Sequence, residues 1–120
     1  MQQENTGRPL AQRTCAPCSG STPRLDASQI ALLLPEVPGF ELDDEGKSIS
    51  RDFQFKNFHE TMAFVNAAAF IAHREDHHPD LEVGYRHCRV IFRTHANGGL
   101  SENDFVSAAK VNALLSREER

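Results

Sequence analysis

An α+β fold, a four-stranded antiparallel sheet with three helices packed on one face, is predicted by three observations. Two stretches alternate apolar and polar residues with period two, and each pairs with a shorter strand-like run across a turn. Three other stretches carry apolar residues at helical spacing. Their order along the chain is α-β-β-α-β-β-α, two hairpins separated and flanked by helices, which closes most simply as one layer of helices on one sheet.

Residues 1–24 are rich in Gln, Arg, Thr, Ser, Gly and Pro without periodicity, so the sequence predicts an extended or partly disordered lead-in, followed by a single domain over 25–120. Within the lead-in, "CAPC" places Cys15 and Cys18 at C-x-x-C spacing. No second C-x-x-C completes a zinc site, and the flanks do not read as the strand and helix of a redox motif. Two cysteines in a loop is the plainer reading, with a metal or redox role as the alternative.

The first helix starts at Asp26 or Ser28, either of which can cap it, carries Ile30, Leu33 and Leu34 at helical spacing, and stops at Pro35 and Pro38-Gly39. Phe40-Glu41-Leu42, a turn at Asp43–Gly46 and the alternation of Ile49, Phe53 and Phe55 with Ser50, Asp52, Gln54 and Lys56 form the first hairpin. From Asn57 to Glu75 the period becomes helical. Phe58, Met62, Val65, Ala68, Ala69 and Ala72 make one apolar stripe, and Phe64, Phe70 and Ile71 fall outside it, which suggests a second covered surface. In the second hairpin Leu81-Glu82-Val83 turns at Gly84-Tyr85-Arg86 into His87–Thr94. There Cys88, Val90 and Phe92 face one way, and His87, Arg89, Ile91 and Arg93 the other. Cys88 is then a buried core thiol, and the arginine face stays in water. Asn97-Gly98-Gly99 breaks the strand, and Ser101-x-x-Asp104 opens the last helix as a capping box, with Phe105, Ala108, Ala109 and Leu115 on its apolar face.

Composition narrows the function. A net charge of −4 gives no electrostatic reason to expect nucleic acid or an anionic membrane as partner, and no apolar run approaches the length of a membrane span. The start lacks the pattern of a secretory signal, so the expected location is the cytoplasm. Six histidines are many for 120 residues, and most fall between His73 and His95.

The stretch "HREDHHP" concentrates them. If the helix continues, His73 and His77 share a face, and Pro79 ends the helix just after His77-His78. Adjacent residues leaving a helix can both reach one cleft, and His95 lies at the end of the second hairpin. A zinc site fits poorly, because Glu75 is misplaced for H-E-x-x-H and adjacent histidines are unusual ligands. Acid–base chemistry fits better. Imidazole gives and accepts protons near neutral pH, and several histidines around one pocket suit a reaction that moves two protons. No serine or cysteine is arranged as a nucleophile.

Taken in order, His73-x3-His77-His78-Pro79-x5-Tyr85-x9-His95-x8-Asp104 resembles the signature of the pterin-4a-carbinolamine dehydratases. "LPEVPGF" at 34–40, "FQFKNFHETMAFV" and "GLSENDF" are similar to that family as well, as is "CAPC", so the resemblance runs over residues 15–115. It implies the same α-β-β-α-β-β-α fold, assembled as a homodimer or homotetramer. It further implies dehydration of a 4a-hydroxytetrahydropterin to the quinonoid dihydropterin, recycling the pterin of aromatic amino acid hydroxylases without metal or organic cofactor. By position, the active-site histidines are His77, His78 and His95, and the pterin-binding residues are His73, His78 and Asp104. His77 and His95 are expected to share the acid and base roles, with His78 orienting the pterin. Asp104 is expected mainly to cap its helix and secondarily to support the site.

Three departures stand out. His73 replaces a common acidic residue, Phe40 a common Trp after Pro-Gly, and Leu81 an aromatic after His-Pro-acid. The last two are expected to loosen pterin stacking and raise KM. His59 and His87 match no anchor and read as solvated surface. The competing classes are a non-enzymatic dimerisation or assembly partner on the same scaffold, which has no need of His77, His78 and His95 together, and a small metal-binding protein using Cys15, Cys18 and the histidines.

Overall fold

The computed structural model describes residues 8–16 and 22–115. Cys18, and with it the C-x-x-C pair, lies outside the described residues. The elements are helix α1 (Ala27–Leu33), strands β1 (Glu41–Leu42) and β2 (Ile49–Gln54), helix α2 (Phe58–Glu75), strands β3 (Asp80–Val83) and β4 (His87–Phe92), and helix α3 (Glu102–Ala113). Single 3-10 turns lie at Leu10–Gln12, Leu34–Glu36 and His95–Asn97. The four strands form one antiparallel sheet in the order β1-β2-β4-β3. The predicted α+β class and element order hold.

Local chemistry explains the boundaries. Asp26 caps α1 by accepting from the Gln29 N–H at 2.9 Å while the Gln29 amide oxygen accepts from the Asp26 N–H at 2.8 Å, a reciprocal capping box. Asn57 caps α2 through the Glu60 N–H at 2.8 Å. The helix ends at Asp76, whose left-handed φ of 54° turns the chain out one residue before His77. His77 is thus already outside the helix and does not share its face with His73.

The core lies between the sheet and the helices. Ile49 and Phe53 of β2 and Cys88, Val90 and Phe92 of β4 are buried on one sheet face, and Phe64, Ala68, Ile71, Phe105, Val106 and Val111 cover them. The alternation in β4 is as its sequence predicts. The stripe on α2 is not. The buried residues are Thr61, Phe64, Ala68, Ile71 and Ala72, whereas Phe58 and Phe70 are 48% and 62% exposed in the single chain. The face is rotated by about one residue because Thr61, polar by composition, is fully buried. Its hydroxyl lies 3.0 Å from both the Asn57 and Tyr85 carbonyl oxygens, which removes the desolvation cost that a lone hydroxyl would carry.

The segment read as a lead-in also contributes to the core. Leu10 is 3% exposed, and its 3-10 turn rests on α3. A lone leucine among polar residues gives no periodic signal, so only the packed structure reveals it.

Cys88 occupies the core position expected of it, fully buried on β4. Burial, with a smaller contribution from the Asp52 carboxylate, pushes its thiol up to about 11. Only the thiolate reacts with alkylating agents, so at pH 8 Cys88 should stay unmodified by iodoacetamide in the native protein and react promptly in denaturant. Mapping of the alkylated peptide by mass spectrometry checks this, and rapid native labelling would contradict it.

Candidate active site

Strand pairing assembles the site. In the β3–β4 ladder Asp80 is opposite Ile91, so the residues just before Asp80 run alongside those just after Ile91. The His77-His78-Pro79 segment is thereby brought beside Phe92, Thr94 and the His95–Asn97 turn. An ion pair between Arg93 and Asp80 at 3.7 Å joins the two segments. Gly98, with φ of 74°, closes the 3-10 turn, and the Thr94 N–H then donates to the Gly99 carbonyl at 2.8 Å. This brings the chain straight into the start of α3.

Asp104, at the third position of α3, is the centre. It is fully buried, and its two oxygens divide two tasks. Oδ2 accepts from the Ser101 N–H at 2.9 Å, completing the helix cap, and from the Thr94 hydroxyl at 2.7 Å. Oδ1 lies 2.7 Å from Nε2 of His77, which is itself 7% exposed. Thr94 Oγ1 is also 2.7 Å from the Ser101 hydroxyl. An ionised carboxylate only accepts hydrogen bonds, so in that state Nε2 of His77 carries the proton. A neutral His77 then holds its lone pair on Nδ1. The ring is fixed from its face as well, stacked on Phe92 at 6.1 Å between centroids and 9° between planes.

The expected site residues therefore separate. His77 and Asp104 are in direct contact and buried. His78 and His95 are exposed, but each is the chain neighbour of a member of the network, His77 and Thr94 respectively. His73 is exposed on the last turn of α2. Asp104 is both cap and histidine partner, where sequence reasoning had weighted the cap. Thr94 was missed. Its signal was available, since it continues the period-two core face of Cys88, Val90 and Phe92, and a polar residue at such a position calls for a buried partner.

The aromatic substitutions need a correction. Phe40 is 4% exposed and packs edge-on against Phe53 at 6.1 Å and against Phe92 at 6.2 Å, and Leu81 packs against the same core. In this chain Phe40 fills the interior behind the site, so it offers no open face on which a pterin could stack. The signature residue Tyr85 stands at the far end of β4, 67% exposed and stacked on Phe58 at 5.8 Å. His87, expected as plain surface, pairs with Asp52 at 2.8 Å on the open sheet face. Among the described residues no three His, Cys, Asp or Glu side chains are grouped so as to hold a metal ion, and no helix is long and apolar enough to cross a membrane.

The chain is similar to several known proteins. The family model described as pterin 4 alpha carbinolamine dehydratase matches residues 23–114. A protein of Stenotrophomonas maltophilia, provisionally named pterin-4-alpha-carbinolamine dehydratase, is 58% identical over 91% of this chain and 94% of its own length. A relative from Nitrosospira multiformis with the same provisional name is 52% identical over 88% of this chain and 92% of its own. Among solved structures, a crystal structure from Brucella melitensis described as a transcriptional coactivator/pterin dehydratase superposes with a TM-score of 0.74 at 34% identity, covering 77% of this chain and 98% of the other.

Proposed function

We propose, since this chain belongs to the pterin-4a-carbinolamine dehydratase family, that it dehydrates a 4a-hydroxytetrahydropterin to the quinonoid dihydropterin and water by histidine acid–base catalysis. The reading rests on the His77–Asp104–Thr94 network, in which two positions that the family signature names, His77 and Asp104, are in direct contact and Thr94 bonds the same carboxylate. In the reaction the C4a–O bond breaks with its electron pair going to oxygen, which takes a proton and leaves as water. The N5–H bond gives its electrons to a new C4a=N5 bond and its proton to a base. One proton is given and one is taken, so two imidazoles in opposite states suffice. His77 and His95 exchange these protons, His78 orients the pterin, and Asp104 holds His77 in one orientation and tautomer. His73, at the rim, contacts the substrate. The enzyme works as a homodimer or homotetramer in the cytoplasm, recycling the pterin of aromatic amino acid hydroxylases.

The test follows decay of enzymatically generated 4a-hydroxytetrahydropterin in a stopped-flow spectrometer. The parent protein should accelerate it, and a His77→Ala/His95→Ala variant should lose at least about 100-fold of that acceleration. A folded parent with no effect would refute the reading. It would favour the alternative of a non-enzymatic assembly partner on this scaffold, to which the exposed Phe58–Tyr85 stack lends some support.

A further inference from the structure

The buried charges of this chain are not confined to the His77–Asp104 pair. Glu75, in the last turn of α2, and Lys110, in α3, have side chains only 7% and 10% exposed and stand 3.8 Å apart. A buried ion pair is weak as a source of stability, because desolvation offsets most of the attraction. What distinguishes this one is where the remaining bonds go. Glu75 Oε1 accepts from the Cys15 N–H at 3.0 Å, and Lys110 Nζ donates to the Ala11 carbonyl at 2.8 Å. Both charged groups thus grip the main chain of the N-terminal segment.

A second clamp lies one residue from Asp104. The Asn103 side chain accepts from the Ala16 N–H at 3.0 Å and donates to the Ala16 carbonyl at 2.6 Å, as a neighbouring strand would. Cys15 Sγ lies 3.3 Å from the Ser107 hydroxyl, and Arg13 pairs with Glu102 at 3.3 Å. The segment therefore spans the end of α2, two residues before His77, and the first turn of α3, around Asp104. Like the His77 segment itself, it is bonded to both helices at these ends.

We propose that residues 8–16 form a strap that sets the His77–Asp104 geometry, with Glu75 and Asn103 as its positioning residues. The inference rests on the dehydratase reading for its kinetic consequence and on the hydrogen bonds alone for its structural one. Catalysis through a fixed imidazole is sensitive to small displacements, so loosening either clamp lowers turnover without removing any group that touches substrate.

The experiment compares Glu75→Ala, Asn103→Ala and the conservative Glu75→Gln, which keeps an acceptor for the Cys15 N–H, with Cys88→Ala, a core variant at the opposite end of β4. Each is measured for thermal stability, for kcat and KM, and for the low-field proton resonance of His77 Nε2–H. The two clamp removals should lower kcat roughly tenfold or more with KM little changed, and should broaden the resonance by exchange. Glu75→Gln should recover most of both, and Cys88→Ala should keep both despite a comparable loss of stability. Clamp variants that behave like Cys88→Ala would overturn the strap. If the parent shows no dehydratase activity, that reading falls by itself, and the resonance still decides for or against the strap.

Discussion

Asp104→Asn is expected to fold with its helix cap intact and to lose nearly all dehydratase activity. Asparagine has one acceptor oxygen and one donor NH2 in place of two acceptors. The oxygen goes where Oδ2 was, because the Ser101 N–H can only donate. The NH2 group then faces Nε2 of His77, 2.7 Å away in the parent, and forces that nitrogen to accept. The proton moves to Nδ1, and the ring presents the opposite tautomer to its surroundings. Activity should fall about 100- to 10,000-fold, the range lost when a general acid–base group is disabled. Asp104→Ala should behave differently. It leaves His77, Thr94 and Ser101 without their shared acceptor in a buried site, and breaking such a buried pair costs about 3–5 kcal/mol. Urea denaturation of the two variants, with stopped-flow assays of the folded fraction, separates cap from chemistry. Parent-like turnover in Asp104→Asn would show that the tautomer of His77 is irrelevant.

How far the sequence reveals this arrangement depends on the range of the interactions involved. The Ser101–Asp104 capping box was legible because it is written within four residues, whereas the first helix offered two caps, Asp26 and Ser28, and the structure uses Asp26. The β4 core face was legible because alternation is strict there. The α2 stripe misled because its rule assumes that buried means apolar, and Thr61 satisfies its hydroxyl with the Tyr85 carbonyl, 24 residues away. In the site, the resemblance to the family signature singled out His77, His78, His95 and Asp104. It could not divide them into a buried pair and two surface groups, since that division comes from the β3–β4 register and the stacking on Phe92. The strap was illegible for the same reason, carried to an extreme. Its bonds join Cys15 to Glu75 and Ala11 to Lys110, 60 and 99 residues apart, and are made between side chains and main chain, which leaves no pattern in residue types.

Phe92 is where the core and the site meet, and its replacement should separate volume from shape. It stands between Phe40, 6.2 Å behind it, and the imidazole of His77, 6.1 Å in front and nearly parallel. Phe92→Ala removes a buried ring and leaves a cavity, an effect of about 3–5 kcal/mol that leaves the protein marginal. Phe92→Leu retains most of the volume and should cost less than about 1.5 kcal/mol beyond the lost ring contacts. A branched chain does not present a flat face, however, so the His77 ring loses its stacking partner and can pivot about its bond to Asp104. Turnover in Phe92→Leu should therefore fall about tenfold in a protein that remains stable. Thermal denaturation and the stopped-flow assay give the two numbers. If Phe92→Leu loses stability and activity in proportion to Phe92→Ala, the ring acts only as filling, and stacking does not orient His77.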